Sequence, residues 1–141
     1  MSPNTDLKVI FIDVADNATK LQRLCAIVEK HFSKKEHVLI LAPSDDAANY
    51  IDQLLWRMPE ESFIPHVIAK SPTKELIAIS TQKSNHNQAQ IIINLCTEIP
   101  PHEASVHLIY ELLDRTHPAK EELARQRLAA YQTAGAKIEE L

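Results

Sequence analysis

Histidine, serine, cysteine and aspartate are the side chains that could carry chemistry here, and their spacing decides whether they do. The seven histidines, His31, His37, His66, His86, His102, His107 and His117, are scattered along the chain. None forms an i, i+4 pair with a glutamate beside it, the spacing that turns two imidazoles toward one zinc ion. His102 and His107 are too far apart on a helix and fall on opposite faces of a strand. Ser62 and Ser80 lack the flanking glycines of a nucleophile elbow. Cys25 and Cys96 lie in apolar runs without an activating base, and read as small buried hydrophobes in a reducing cytoplasm. The chain has one glycine, Gly135. Pyrophosphate cradles and P-loops need glycines where the backbone approaches phosphate, so both routes to nucleotide binding are excluded. No catalytic residue, metal or cofactor follows from these residues.

The same inventory supports adhesion. Between Ile51 and His66 the only tryptophan, Trp56, stands seven residues before Phe63. Ala47, Ala48, Ile51 and Leu55 recur at helical spacing, so a helix opened by Ser44, Asp45 and Asp46 ends close to Trp56. Pro59 forbids its continuation, and Pro65 biases Ile64 toward extended geometry. Two large rings therefore leave one helix end on a stiffened loop, where they either cap the core or meet a partner. Aromatic anchors of this kind carry much of an interface's energy, typically about 2 kcal/mol or more each.

The beginning, Val9-Ile10-Phe11-Ile12-Asp13 followed by Asp16-Asn17, resembles the first strand and acidic turn of a phospho-accepting receiver domain. A receiver also needs an acceptor aspartate just after its third strand to complete a magnesium site, and Ala69-Lys70-Ser71-Pro72 supplies none. Helix capping by Asp13 and Asp16 is the reading preferred.

Strands alternate with helices around these features. Lys8 to Val14 is a compact β-branched run, and a helix follows to about Phe32, with Leu21, Leu24, Cys25, Val28 and Phe32 at helical spacing. Val38 to Leu41 is a short buried strand. Val67 to Ala69, Leu76 to Ser80, Gln90 to Leu95 and Val106 to Leu113 read as further strands. The uniformly polar stretch Thr81 to Gln88 reads as a mobile loop. Pro118 falls in the first turn of a last helix that Gly135 is placed to end, with Tyr131 as its core contact. Strand, helix, strand, helix implies a parallel sheet: an α/β fold of three layers, expected as a single domain over residues 1–141.

With 141 residues, 45% of them hydrophobic and 24% charged, the chain is long enough to bury about two-thirds of its unfolded surface. A formal charge of −4 argues against a dedicated duplex-DNA reader, which carries a basic face. No signal peptide, lipidation motif or spanning apolar segment is read, so a cytoplasmic protein without membrane partners is expected.

Motifs along nearly the whole chain add a family. Ile51-Asp52, Leu55-Trp56 and Ser62-Phe63-Ile64-Pro65-His66 resemble, at the same spacing, elements of the chi subunit family of the bacterial DNA polymerase III clamp-loader assembly. Ala124-Arg125-Gln126-Arg127, continued by Tyr131 and Gly135, is similar to that family's closing pattern. Cys25-Ala26, Val38-Leu39-Ile40-Leu41 and Ile93-Asn94-Leu95 are weaker matches. The resemblance implies a Rossmann-like or helicase-like architecture with a mostly parallel sheet and no phosphate loop. It implies a non-catalytic adaptor of DNA replication with two partners, contacting DNA only indirectly. Trp56, Met58, Phe63 and Pro65 would dock the small psi subunit. Arg125, Arg127 and Leu128 would receive the acidic, phenylalanine-ending tail of the single-stranded DNA-binding protein. Leu128 and Ala129 stand where the best-known members have tyrosine and lysine, and Glu121 replaces a further lysine. Lys120 and Lys137 are the nearby cations that could compensate. The alternatives are a chi-like adaptor diverted to another protein partner, or a degenerate receiver-like phospho-switch.

Overall fold

A computed structural model describes residues 7–57, 64–101 and 104–141. Aliphatic runs dominate its strands. β1 (Lys8–Val14), β2 (Val38–Leu41), β4 (Ile77–Ser80), β5 (Ile91–Asn94) and β6 (Leu108–Asp114) are almost wholly buried on both faces. That burial is the signature of a parallel sheet covered on each side. β3 (Val67–Ile68) and β7 (Lys137–Glu140) are short and flank them.

The seven strands lie in the order β3-β4-β2-β5-β6-β1-β7. Every adjacent pair is parallel, so the sheet is all-parallel rather than mostly so. Lys8 lies opposite Leu108 of β6 on one side and Lys137 of β7 on the other. β7 is an element that the sequence pattern does not reveal, because Ile138 is its sole apolar residue.

Among the described residues three helices cover the sheet: α1 (Asn17–Ser33), α2 (Asp45–Arg57) and α3 (Pro118–Thr133). α1 and α2 bury Leu24, Cys25, Val28, Ile51 and Leu55 against one face, in a cluster with Ile10, Ile12, Ile40 and Ile93. α3 buries Ala124 and Tyr131 against the other, with Val9, Phe11, Leu39 and Ile109. Three layers result, as the alternation of elements demands.

Local chemistry sets the helix ends. Asp16 caps α1, its Oδ1 accepting from the Thr19 backbone N–H at 2.7 Å. Asp13 does not share that duty, since it pairs with Arg115 Nη2 at 2.7 Å. Ser44 Oγ accepts from the Ala47 N–H at 3.1 Å at the start of α2, where Asp45 and Asp46 meet the positive end of the helix dipole. His117 caps α3 by accepting from the Ala119 N–H at 3.1 Å, ahead of Pro118. Gly135 leaves that helix with φ of 85°, a left-handed value that glycine adopts without a Cβ clash.

The polar stretch Thr81 to Gln88 is more than a loose connection. Asn87 is buried within it, and its Nδ2 donates to the carbonyls of Val38, Leu76 and Glu75 at 3.0, 3.1 and 3.2 Å. Asn85 bonds both backbone groups of Ala89 at 2.8 Å. The segment replaces missing apolar contacts with side-chain bonds to the starts of β2 and β4, where the Leu76 carbonyl also accepts from the Val38 N–H at 2.7 Å.

Candidate functional site

Trp56 sits in the last turn of α2, at the amino-terminal end of the sheet, and is 53% exposed. Its apolar helix mates Leu54 and Leu55 are buried, which leaves the indole on the outer side. Its ring rests on His66, with centroids 4.2 Å apart and planes tilted by 42°. His66 is buried, with Nδ1 2.7 Å from the Ile64 carbonyl oxygen and Nε2 2.9 Å from that of Asp52. Pro65, between the buried Ile64 and His66, faces solvent. Trp56 and Pro65 thus share one corner. Met58 and Phe63 lie outside the described residues.

The residues expected on α3 separate. Arg125 is exposed and grips Glu121 one turn earlier, Nε and Nη2 lying 3.2 and 3.0 Å from the same carboxylate oxygen. Leu128, three residues on, is half-buried against the α3-side core. Residues three apart on a helix are neighbours, so Arg125 and Leu128 share a flank. Arg127 does not share it. Its Nε donates to Glu111 Oε1 at 3.0 Å and its Nη1 to the Thr97 carbonyl at 3.1 Å. Only 10% of the Arg127 side chain is exposed, and Glu111 is sealed in the core. Arg127, expected beside Arg125 as a residue that receives the tail, is held in a buried ion pair.

Glu111 is the centre of a network that sequence reading did not find. Asn94 Nδ2 donates to it at 2.9 Å and the Tyr131 hydroxyl at 2.7 Å, beside the Arg127 bond. Burial pushes its carboxyl above the usual range, against the pull of Arg127 and these donors. The Tyr131 phenol is driven far above its ordinary value, first by burial and then by the Glu111 charge. A glutamate inside the run Leu108–Asp114 was the available signal.

At the carboxyl ends of the strands, α1 and α2 on one face and α3 on the other enclose a cavity of about 520 Å³. It lies outside the carboxyl ends of β2, β5 and β6, the end of the sheet at which open α/β folds bind ligands. Its apolar wall includes Leu24, Leu112 and Leu123. Lys20 reaches Asp114 at 2.7 Å there, and Arg127 is held by Glu111, so among the described residues Lys120 is the lining cation without an ion pair. Asp16 occupies the start of α1 with its own carboxylate, kept below its ordinary value by hydrogen bonds from the Thr19 backbone and hydroxyl. A phosphate would meet like charge at that helix end. Among the described residues no three histidine, cysteine, aspartate or glutamate side chains gather as metal ligands. Nor is any helix among them long and apolar enough to cross a membrane.

Known proteins share this chain's pattern. A family model described as DNA polymerase III chi subunit, HolC, matches residues 7–139. A Pseudomonas aeruginosa protein named DNA polymerase III subunit chi is 27% identical over 124 residues, covering 88% of this chain and 87% of its own length. An Escherichia coli (strain K12) protein of the same name is 27% identical over 117 residues, covering 81% of this chain and 79% of its own.

Proposed function

The chain belongs to the DNA polymerase III chi subunit family, and from that premise we propose that it is a non-catalytic bridge within the replication machinery. Membership makes it a subunit of the polymerase complex with an accessory role in replication. The proposal is finer. Acting as one domain in the cytoplasm, the chain holds the clamp loader through psi and reaches the tails of single-stranded DNA-binding protein, touching DNA only through them.

The observation that carries this reading is the exposed Trp56 indole resting on His66, the residue after the solvent-facing Pro65. A tryptophan half in water forfeits apolar burial that only a partner can supply, and such rings are the commonest anchors of protein interfaces. Met58 and Phe63 complete the psi-docking set by their motif positions. Titrating psi onto the native protein and onto Trp56→Ala tests it. The variant should keep its far-UV circular dichroism and bind about 10-fold or more weakly. Unchanged binding by a folded variant would remove the docking role.

For the tail, Arg125 and Leu128 supply a cation beside an apolar side chain, the pairing that an acidic peptide ending in phenylalanine requires. Glu121 competes for the guanidinium, so a weak contact is expected. Weak contacts suffice on a lattice of many tails, where tethering raises the effective concentration. A synthetic tail peptide titrated against native protein and Arg125→Ala, at two salt concentrations, should show salt-sensitive binding that the variant loses. Absence of binding at low salt would remove this half of the function.

A further inference from the structure

We propose that His66 is a positioning residue that holds the Trp56 indole in its outward pose; the consequence for partner capture rests on reading this corner as the psi-docking surface. An indole at a helix end ordinarily samples several rotamers, and freezing it on binding costs entropy. An anchor already fixed avoids that cost, which is the general advantage of preorganisation.

The geometry supplies the fixing. The His66 side chain is fully buried, and both ring nitrogens face carbonyl oxygens, so a neutral ring is braced by donation from one nitrogen and an imidazolium, with Asp52 as its counter-charge, by donation from both. Nδ1 faces the Ile64 carbonyl at 2.7 Å, while Nε2 faces Asp52, at 2.9 Å from the carbonyl and 3.2 Å from Oδ1. Asp52 and Trp56 lie one turn apart on the same side of α2. The imidazole is thus fastened to the helix that presents the indole and lies 4.2 Å from it, centroid to centroid. Ile64, the other brace, is sunk in the core. Pro65 fixes the backbone between brace and ring. A flat ring with polar atoms on both edges can contact the indole, the Ile64 carbonyl and Asp52 at once. Phenylalanine would keep the plate and lose the braces, whereas glutamine would keep polar ends and lose the plate.

Those two substitutions form the test. Trp56 is the only tryptophan, so indole emission, anisotropy and acrylamide quenching report on it alone. His66→Gln should shift the emission to the red, raise the quenching constant and lower the anisotropy. It should also weaken psi capture by about 10-fold at unchanged far-UV circular dichroism. His66→Phe should lower the urea midpoint while retaining much of the native indole signature and capture. If His66→Gln leaves the indole signals native, the positioning role is overturned. Signals that instead follow the urea midpoint across both variants make His66 a core residue only, and also overturn it. If His66→Gln frees the indole while Trp56→Ala leaves capture unchanged, positioning is supported and the docking reading fails. If Trp56→Ala weakens capture but a freed indole in His66→Gln does not, docking survives and the link from positioning to capture is overturned.

Discussion

Arg125 and Arg127 stand two residues apart on α3 and meet opposite surroundings, so their substitution should have opposite signatures. Arg125 holds Glu121 in water, an i, i+4 pair worth about 0.3–0.5 kcal/mol, and its loss should leave stability nearly intact. Arg127 neutralises the buried Glu111. Removing one partner strands the other, and breaking such pairs costs about 3–5 kcal/mol. Arg127→Met should therefore lower the urea unfolding free energy by about that amount. Adding Glu111→Gln should recover a substantial part, since glutamine carries no charge and can still accept from Asn94 and Tyr131. A double variant no more stable than Arg127→Met would show that charge pairing is not the source. The sequence placed both arginines in one motif without separating them. Which of them faces inward depends on Glu111, which lies on another element and whose strand is buried on both faces, where alternation gives no direction.

Elements with strong local signals were legible: the five buried strands follow from their apolar runs, α1 and α2 from helical apolar spacing, and α3 from Pro118 at its start and Gly135 at its end, with ends displaced by one or two residues. The misses have a common cause. β7 has little propensity of its own and forms because β1 presents an open edge, where Lys137 N–H donates to the Leu7 carbonyl at 2.9 Å and Leu141 N–H to that of Phe11 at 2.8 Å. The segment Thr81 to Gln88 looks like a bare linker in composition, yet Asn87 ties the starts of β2 and β4 together. Asn87→Ala should cost about 1–3 kcal/mol, the penalty for leaving buried partners short of a donor. Urea denaturation and amide exchange at the β2–β4 boundary would measure it. A loss no larger than for an exposed alanine substitution would restore the linker view. Trp56 at the end of α2 was legible from helical spacing, while the imidazole beneath the indole depends on a backbone turn that one-dimensional spacing does not describe.

Across the whole molecule, the three layers separate the two candidate surfaces, with Trp56 on the helix layer opposite α3. The layers also share an acid-sensitive clasp, Lys20 of α1 on Asp114 at the end of β6. Burial pushes the Asp114 carboxyl up, but hydrogen bonds from Lys20 and from the Thr116 side chain and backbone outweigh it and leave it below its ordinary 3.8. A depressed carboxyl stabilises the fold above the unfolded value and loses that contribution as pH falls through the folded one. Lys20→Met should therefore lower the urea midpoint at neutral pH, and the gap from native should close on acidification below 3.8. A gap independent of pH would assign the effect to packing. The strand order has a further consequence, for biosynthesis. Lys8 leaves the ribosome well before its neighbours across the sheet, Leu108 and Lys137. β2, β4 and β5 can assemble on the growing chain, while the greasy β1 ribbon waits, unpaired and prone to stray contacts, until β6 and β7 have followed it out.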